Sequence, residues 1–248
     1  MIDASLVGRT ALVTGGSRGI GRAIALRFAK AGAKVVIGYK VRQDAAEETL
    51  RLVREAGGEA IALAGDVATA EGCQALHEGA VRLAGKIDVL VNNAGFHEND
   101  VFLLLKDESF ERLFQMHVMG LVRMTRLVAS GMIARKWGRI INLSSVAASK
   151  PTVGQVNYAA AKGAVESMTR ALAIELGKRG VHVNCLSLGL IETEMATGTD
   201  IPYVLGKQLV KRLGKPDEIA AWALMLASQY GDYVTGRVFD LDGGFMLV

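Results

Sequence analysis

Short runs of apolar residues alternate with longer segments of helical periodicity along nearly the whole chain. Most of the short runs are continuously apolar, which is typical of strands buried on both faces of a parallel sheet. The longer segments repeat apolar residues at the spacing of an amphipathic helix. The predicted strands are 10–14, 34–39, 60–64, 88–91, 139–143, 181–186 and 238–241, and the predicted helices are 20–31, 43–56, 70–84, 108–135 and 156–178.

This alternation predicts one α/β domain over residues 1–248, a doubly wound parallel seven-stranded sheet of Rossmann-like form with helices on both faces. Residues 189–215 break the alternation, because they mix glycine, threonine and aspartate with one short apolar stretch. A loop of that length is usually functional, and open α/β sheets bind ligands beyond the carboxyl ends of their strands. We therefore expect a substrate loop or lid at 189–215.

Composition narrows the possible functions of the 248 residues. Twenty-nine Lys and Arg against 25 Asp and Glu give a net charge of +4 with no long basic run, which argues against nucleic acid and favours anionic small molecules or an acidic partner. No apolar run is long enough to span a membrane, and the amino terminus lacks the pattern of a secretory signal. Cys73 and Cys185 form neither a disulfide framework nor metal-ligand spacing, so we expect a cytoplasmic protein without metal.

A glycine-rich turn connects the first predicted strand to the first predicted helix. It reads Gly15-Gly16-Ser17-Arg18-Gly19-Ile20-Gly21. Glycines at 15, 19 and 21 permit a tight turn and a close approach of the backbone to a ligand. The helix that follows offers free N–H groups and a positive dipole end to a pyrophosphate. The turn therefore predicts dinucleotide binding by Gly15, Ser17, Arg18, Gly19, Ile20 and Gly21.

Further motifs follow the glycine turn in a fixed order. They are Asn92-Asn93-Ala94-Gly95, Ser145, Tyr158-Ala-Ala-Ala-Lys162, Val183-Asn184 and Asp242-Gly243-Gly244, with Ser145 thirteen residues before Tyr158. Together with the T-G-x-x-x-G-x-G turn, this set resembles the short-chain dehydrogenase/reductase family over essentially the whole chain. Within that family, the run at 155–162 is most similar to the β-ketoacyl-[acyl-carrier-protein] reductases.

The choice of nicotinamide cofactor depends on the end of the second strand. Residues 36–42 contain no carboxylate that would accept bonds from the adenosine ribose and repel a 2′-phosphate. Arg18, with Lys40 or Arg42, can instead pair with that phosphate, which favours NADPH. A solvated loop explains Lys40 and Arg42 equally well. The resemblance further implies cofactor contacts from Asp66, Val67, Asn93, Ala94, Gly95, Ile191 and Thr193, although Asp66 is equally suited to a turn.

Tyr158 and Lys162 are four residues apart, so they share one face of a helix. A neighbouring ammonium favours the phenolate, and we expect it to lower the pKa of Tyr158 into the range of an effective acid. The resemblance implies that Tyr158 protonates a carbonyl oxygen, that Ser145 hydrogen-bonds the same oxygen, and that Lys162 also binds the nicotinamide ribose. Ser144 is adjacent, but the interval of thirteen residues favours Ser145.

Two residues depart from the family pattern. His117 stands where family members usually carry an asparagine, which is understood to stabilise a helix distortion and a proton relay to the lysine. His117 also lies on an apolar helix face, so a relay residue and a satisfied core histidine both explain it. Leu188 replaces the usual proline before Gly189, which frees the backbone and is expected to loosen the following loop.

The resemblance implies an NADPH-dependent reductase that converts a 3-oxoacyl thioester, carried on an acidic acyl carrier protein, into the 3-hydroxyacyl thioester. Lys136, Arg139 and Arg179 are expected near helix ends that flank the cleft, and Lys136 and Arg179 match basic positions of the carrier-protein reductases. A homotetramer is usual in the family, and a heteromer is also possible.

Two other functions fit the same residues. One is a short-chain dehydrogenase of alcohols, sugars or cyclic ketones on the same scaffold, since function is set by the site rather than the fold. The other is a cofactor-binding, weakly catalytic subunit that pairs with an active reductase. His117 and Leu188 motivate this third function, while Ser145, Tyr158 and Lys162 argue against it.

Overall fold

A computed structural model describes residues 4–197 and 199–248. Within them, seven parallel strands form one sheet in the order β3-β2-β1-β4-β5-β6-β7, which confirms the doubly wound Rossmann-like fold. The strands are β1 (Thr10–Thr14), β2 (Lys34–Tyr39), β3 (Glu59–Ala64), β4 (Val89–Asn92), β5 (Gly138–Ser145), β6 (Val181–Leu188) and β7 (Val238–Leu241).

Helices cover both faces of this sheet. They are α1 (Gly19–Lys30), α2 (Gln43–Glu55), α3 (Ala70–Ala84), α4 (Asp107–Phe114), α5 (Gly120–Ala134), α6 (Val156–Gly177), α7 (Ile201–Gly206) and α8 (Pro216–Ala227). Successive residues of β1 face opposite layers: Val13 packs with Phe28 of α1, whereas Leu12 packs with Leu76 of α3 and Met124 of α5. Burial on both faces explains why the strands read as continuous apolar runs.

The predicted helix 108–135 is not continuous. A π-helical segment, Gln115–Met119, separates α4 from α5 while the axis stays helical through both junctions. The apolar pattern alone does not indicate the segment, but it surrounds His117, the position at which the family resemblance implies a helix distortion. Such segments frequently mark functional sites.

The helix α8 was absent from the predicted elements. Pro216 occupies its first turn, and the Glu218 carboxylate accepts the N–H of Lys215 at 2.7 Å, so its start is capped. Ile219 and Ala223 then pack into the same core cluster as α1. The cap residue is a lysine rather than Ser, Thr, Asp or Asn, so Pro216 and the acidic residues after it were the available start signal.

The segment 189–215 is closed at its base. Ile191 and Gly214 form a parallel bridge, with Glu192 N–H donating to Gly214 O at 2.8 Å and Gly214 N–H donating to Leu190 O at 3.1 Å. Residue 198 of this predicted lid lies outside the described residues. The strand before it, β6, continues through Leu188, which pairs with Leu241 of β7. The two ends of the predicted lid therefore meet at the sheet.

The expectation that Lys136, Arg139 and Arg179 flank the cleft is wrong for the cleft of this chain. Lys136 and Arg179 precede β5 and β6, so they lie at the amino-terminal edge of the parallel sheet, opposite the edge that binds ligands. Arg139 is only 3% exposed and forms an ion pair with Asp232. In a βαβ unit the helix runs back from the carboxyl end of one strand to the start of the next. Basic residues at the carboxyl end of such a helix therefore lie at the edge opposite the cleft.

At the same edge, the buried carboxylate of Asp88 holds the first and fourth strands together. It accepts the backbone N–H of Thr10 at 3.0 Å and lies 3.0 Å from Lys86 Nζ and 3.3 Å from Arg135 Nε. Asp88 also exchanges a backbone hydrogen bond with Thr10 at 2.8 Å. A fully buried charge with these partners is costly to leave incomplete.

We expect Asp88→Asn to lower the free energy of unfolding by about 2–3 kcal/mol. The substitution removes the buried negative charge and leaves the positive charges of Lys86 and Arg135 without their partner. The matched variant Asp217→Asn removes the same charge from an exposed ion pair with Arg27, and we expect it to cost less than about 1 kcal/mol. Urea unfolding measures both. Equal losses in the two variants would contradict the role of Asp88.

Candidate active site

The carboxyl ends of the central strands border a cleft of about 580 Å³. The chain order reverses between β1 and β4, and ligands of open α/β sheets bind at such a switch point. Most residues predicted to bind the cofactor line this cleft. They are Gly15, Ser17, Arg18, Gly19, Ile20, Gly21, Lys40, Asp66, Val67, Asn93, Ala94, Gly95 and Thr193. Three residues predicted to bind the cofactor do not line the cleft: Tyr158 and Lys162 lie beside it, and Ile191 is buried in the core cluster that contains α1 and α8.

The glycine turn is shaped by the absence of side chains. Gly15 and Gly19 have φ of +63° and +53°, and a Cβ on Gly21 would lie 2.2 Å from the carbonyl oxygen of Gly15. The Asn93 amide donates to Thr14 O at 2.8 Å and to Gly15 O at 3.0 Å, so the loop after β4 holds the turn in place. The space over this turn and the start of α1 fit the pyrophosphate of a dinucleotide.

Cations predicted for the adenosine end have carboxylate partners. Arg18 forms an ion pair with Glu194, a residue of the predicted lid that also lines the cleft. Lys40 Nζ lies 2.7 Å from Asp66 Oδ2. Asp66 additionally accepts the N–H of Ala68 at 3.0 Å, so the turn role that the sequence left open is present in the structure.

The three predicted catalytic residues are brought together beside the cleft. Lys162 Nζ lies 5.5 Å from the centre of the Tyr158 ring and donates to Leu143 O at 2.9 Å. Ser145 ends β5 and is near enough to Tyr158 for its hydroxyl to lower the pKa of the phenol. The hydroxyl of Ser144 lies instead against α6, 3.1 Å from Glu166 Oε1 and 3.2 Å from Lys162 O. Of the two serines, Ser145 is therefore the one beside the phenol.

Burial dominates the electrostatics of Tyr158 and Lys162. Loss of solvation raises the pKa of Tyr158 to about 12, although the hydrogen bond from Ser145 opposes the shift. This is opposite to the predicted decrease, because burial outweighs the effect of Ser145, while the Lys162 ammonium is directed at Leu143 O rather than at the phenol. Burial also lowers the pKa of Lys162 to about 8. At neutral pH, Tyr158 keeps its proton and is a donor rather than a base.

His117 lies in the π-helical segment and is buried. Its Nε2 is 2.7 Å from the carbonyl oxygen of Phe96, which can only accept, so Nε2 carries the proton. Burial lowers the pKa of His117 to about 3, and the charge of Lys162 lowers it further in the same direction. The neutral ring stands edge-on to Tyr158 with the centroids 5.6 Å apart.

A second imidazole, which the sequence analysis did not single out, lies next to Tyr158. The ring of His97 is 6.3 Å from that of Tyr158, and its Nε2 is 3.2 Å from Met195 O. His97 therefore connects the loop after β4 to the predicted lid. Its position two residues beyond the Asn92–Gly95 motif was the available signal, but no spacing or periodicity assigns a role to one histidine in a loop.

Within residues 4–197 and 199–248, no group of three or more His, Cys, Asp or Glu side chains is arranged to hold a metal ion. Burial raises the pKa of Cys73 to about 11 and that of Cys185 to about 12, so both are thiols at neutral pH. In the same part of the chain, none of the helices has the length and apolar character needed to cross a membrane.

Comparison with known proteins identifies the family of this chain. The family model of short chain dehydrogenases matches residues 9–201. The 3-oxoacyl-[acyl-carrier-protein] reductase of Synechocystis is 38% identical over 98% of this chain and 99% of its own, and glucose 1-dehydrogenase 2 of Bacillus subtilis is 37% identical over 98% and 96%. The structure of a gluconate 5-dehydrogenase from Burkholderia cenocepacia, in complex with NADP and tartrate, is 31% identical, with a TM-score of 0.93 over 99% and 98%.

The chain belongs to the short-chain dehydrogenase family. It is an oxidoreductase of the kind that interconverts CH–OH and C=O groups with a nicotinamide cofactor. The relatives differ in substrate, so membership of the family leaves the particular ketone or alcohol open.

The burial of Lys162 makes the stability of the protein depend on pH. Its pKa is about 8 in the folded chain against 10.5 for an ordinary lysine, so between these values the unfolded chain holds the proton and the folded chain does not. We expect the free energy of unfolding of the wild type, relative to Lys162→Met, to rise by about 3 kcal/mol from pH 8 to pH 10.5.

Urea unfolding at several pH values measures this difference. The control Lys178→Met removes an exposed lysine that follows the same helix. An identical pH dependence for the two variants, or a relative loss of wild-type stability over this range, would contradict the buried ammonium.

Proposed function

We propose that the protein is an NADPH-dependent reductase that converts a 3-oxoacyl thioester, carried on an acyl carrier protein, into the 3-hydroxyacyl thioester. The observation that carries the proposal is the grouping of a half-buried, protonated Tyr158 with Lys162, 5.5 Å from its ring, and with Ser145 at the carboxyl end of β5, beside the cleft that fits the dinucleotide. The similarity to a reductase of 3-oxoacyl carrier-protein substrates supports the substrate class.

In this proposal Ser145 and Tyr158 hold the C3 carbonyl oxygen of the substrate between their hydroxyl groups. A reduced nicotinamide, when bound, supplies the hydride that the carbonyl carbon accepts. Tyr158 donates its proton to the oxygen, so the ketone becomes an alcohol and the cofactor leaves oxidised. Two donors aimed at the oxygen stabilise the negative charge that develops there as the hydride adds.

Lys162 has two roles in the proposed reaction. Below its pKa of about 8 it is an ammonium, and its charge stabilises the phenolate that remains after proton transfer. It also offers donors to the nicotinamide ribose. His117 stays neutral because burial lowers its pKa to about 3, so it acts in this proposal through its hydrogen bond to Phe96 and its contact with Tyr158 rather than as a cation.

The preference for NADPH rests on the adenosine end of the cleft. Arg18 and Lys40 line it, and the end of β2 carries no carboxylate. A guanidinium and an ammonium are the groups that recognise a phosphate ester. The solved relative that binds NADP supports the same choice.

An acidic carrier protein fits the exposed surface of the predicted lid. Residues 201–215 contain no acidic residue, and their basic side chains are exposed: Lys207, Lys211, Arg212 and Lys215. Complementary charge mainly accelerates encounter and orients the partner. The proposal also includes a cytoplasmic homotetramer, supported by exposed apolar side chains at Phe102, Leu103 and Leu104, with a heteromer as the alternative.

Adjacent serines allow a matched test of the catalytic assignment. With NADPH and an acetoacetyl thioester, we expect Tyr158→Phe and Ser145→Ala each to lower kcat at least about 100-fold, because each removes a donor to the developing oxyanion. Ser144→Ala should stay within about threefold of the wild type, since this hydroxyl lies against Glu166. The measurement is the rate of NADPH oxidation by purified protein.

Comparable rates for wild type and Tyr158→Phe would exclude Tyr158 as the acid. Turnover of a sugar, alcohol or cyclic ketone with no dependence on a carrier would favour the second function, for which the similarity to a glucose dehydrogenase is the relevant observation. A protein that binds NADPH, reduces none of these and stimulates an active reductase would be the weakly catalytic subunit.

The basic lid surface can be tested separately from the chemistry. We expect the double variant Lys207→Glu/Lys211→Glu to raise KM for an acyl-carrier-protein substrate about tenfold, through repulsion of an acidic partner. It should leave kcat/KM for a free pantetheine thioester within about twofold of the wild-type value. Steady-state kinetics with both substrates measures the split.

The control is Lys136→Glu/Arg179→Glu, which reverses two charges at the opposite edge of the sheet. A larger increase of KM in this control would place the carrier protein away from the lid. An equal loss with both substrates in the lid variant would show a defect of the site itself.

A further inference from the structure

The predicted lid crosses the cleft as a short 3₁₀ turn, Glu194–Ala196, which the structure attaches to both walls. On one side the Glu194 carboxylate forms an ion pair with Arg18 of the glycine turn. On the other side Met195 O lies 3.2 Å from Nε2 of His97, whose ring contacts Tyr158. Neighbouring residues of one turn thus reach the adenosine end of the cleft and the catalytic tyrosine.

We infer that Glu194 is a specificity-determining residue that competes with the 2′-phosphate of the cofactor for Arg18. The inference rests on the proposed use of NADPH, because NADH lacks this phosphate. The lid then has an electrostatic role at the adenosine end of the cleft. The Glu194 carboxylate opposes the binding of NADPH and does not affect the binding of NADH.

The charges around Arg18 support this competition. Glu194 lines the same cleft as Arg18 and Lys40. Its field also extends to Arg42, whose pKa is raised mainly by its hydrogen bond to Asp44 and additionally by Glu194. A dianionic phosphate placed among these cations would meet the negative charge of Glu194 directly, while a ribose hydroxyl would not.

Glu194 is better suited to this role than the two other carboxylates near these cations, since Asp44 pairs with Arg42 rather than with Arg18. Asp66 is pinned by the N–H of Ala68 as well as by Lys40. The side chain of Glu194 is 70% exposed and that of Arg18 is 51% exposed, so the pair can open into solvent at small cost. The phosphate therefore displaces Glu194, and the effect on affinity is moderate and sensitive to salt.

The experiment is isothermal titration of wild type and Glu194→Gln with NADPH, NADH, 2′,5′-ADP and 5′-AMP. We expect Glu194→Gln to tighten binding of NADPH and 2′,5′-ADP about threefold to tenfold, because it removes both the competing ion pair and the repulsion. Binding of NADH and 5′-AMP should change less than about twofold. At about 0.5 M salt the gain should largely disappear.

The control is Glu192→Gln, which makes the same charge change two residues away, at an exposed position outside the lining of the cleft. Equal tightening in both variants would show a general effect of charge and overturn the inference. Tightening of NADH and NADPH alike by Glu194→Gln would overturn it too, because the discrimination would then not involve the phosphate.

Arg18→Ala separates failure of this inference from failure of the proposed cofactor. If Arg18→Ala weakens NADPH binding but Glu194→Gln leaves it unchanged, the competition is wrong and the use of NADPH stands. If the wild type binds NADPH no more tightly than NADH, and Arg18→Ala alters neither, both the proposed cofactor and the competition are wrong.

Discussion

The burial of the Lys162 ammonium between α6 and the end of β5 is the constraint on which the site depends. Its Nζ donates to Leu143 O at 2.9 Å, which fixes the helix against the strand that ends at Ser145. Tyr158, one turn earlier, is thereby held next to Ser145. The same burial keeps the phenol protonated and brings the pKa of the lysine to about 8. The positions of Tyr158 and Lys162 and their pKa values thus have one physical origin, the exclusion of water from this corner of the sheet.

The fold and most of the site could be predicted from local patterns. Continuous apolar runs reveal strands buried on both faces, and the glycine turn with its following motifs predicts most of the residues that line the cleft. Long-range consequences were harder to predict. The parallel crossover carries Lys136 and Arg179 to the opposite edge, and α8 has a lysine at the cap position where Ser, Thr, Asp or Asn is usual. The direction of the Tyr158 pKa shift depends on solvent exclusion by the assembled fold, which spacing along a helix does not report.

His117 stands where the family usually has asparagine, and the residues around it accommodate the larger ring. A π-helical turn brings its ring to the carbonyl of Phe96, and Gly95 leaves the necessary room, since a Cβ there would lie 2.3 Å from the ring. The imidazole is satisfied, as a core histidine would be, and it also contacts Tyr158. The structure therefore shows the satisfied histidine, while the relay role stays a prediction, and the neutral ring adds no charge to the site.

The bridge between Ile191 and Gly214 joins the two ends of the segment between these residues close to the sheet. Because both ends of the segment meet at one point, residues between them can change in number or kind without altering the register of β6 or β7. Substrate preference can therefore diverge in this enclosed stretch while the reducing chemistry is inherited intact.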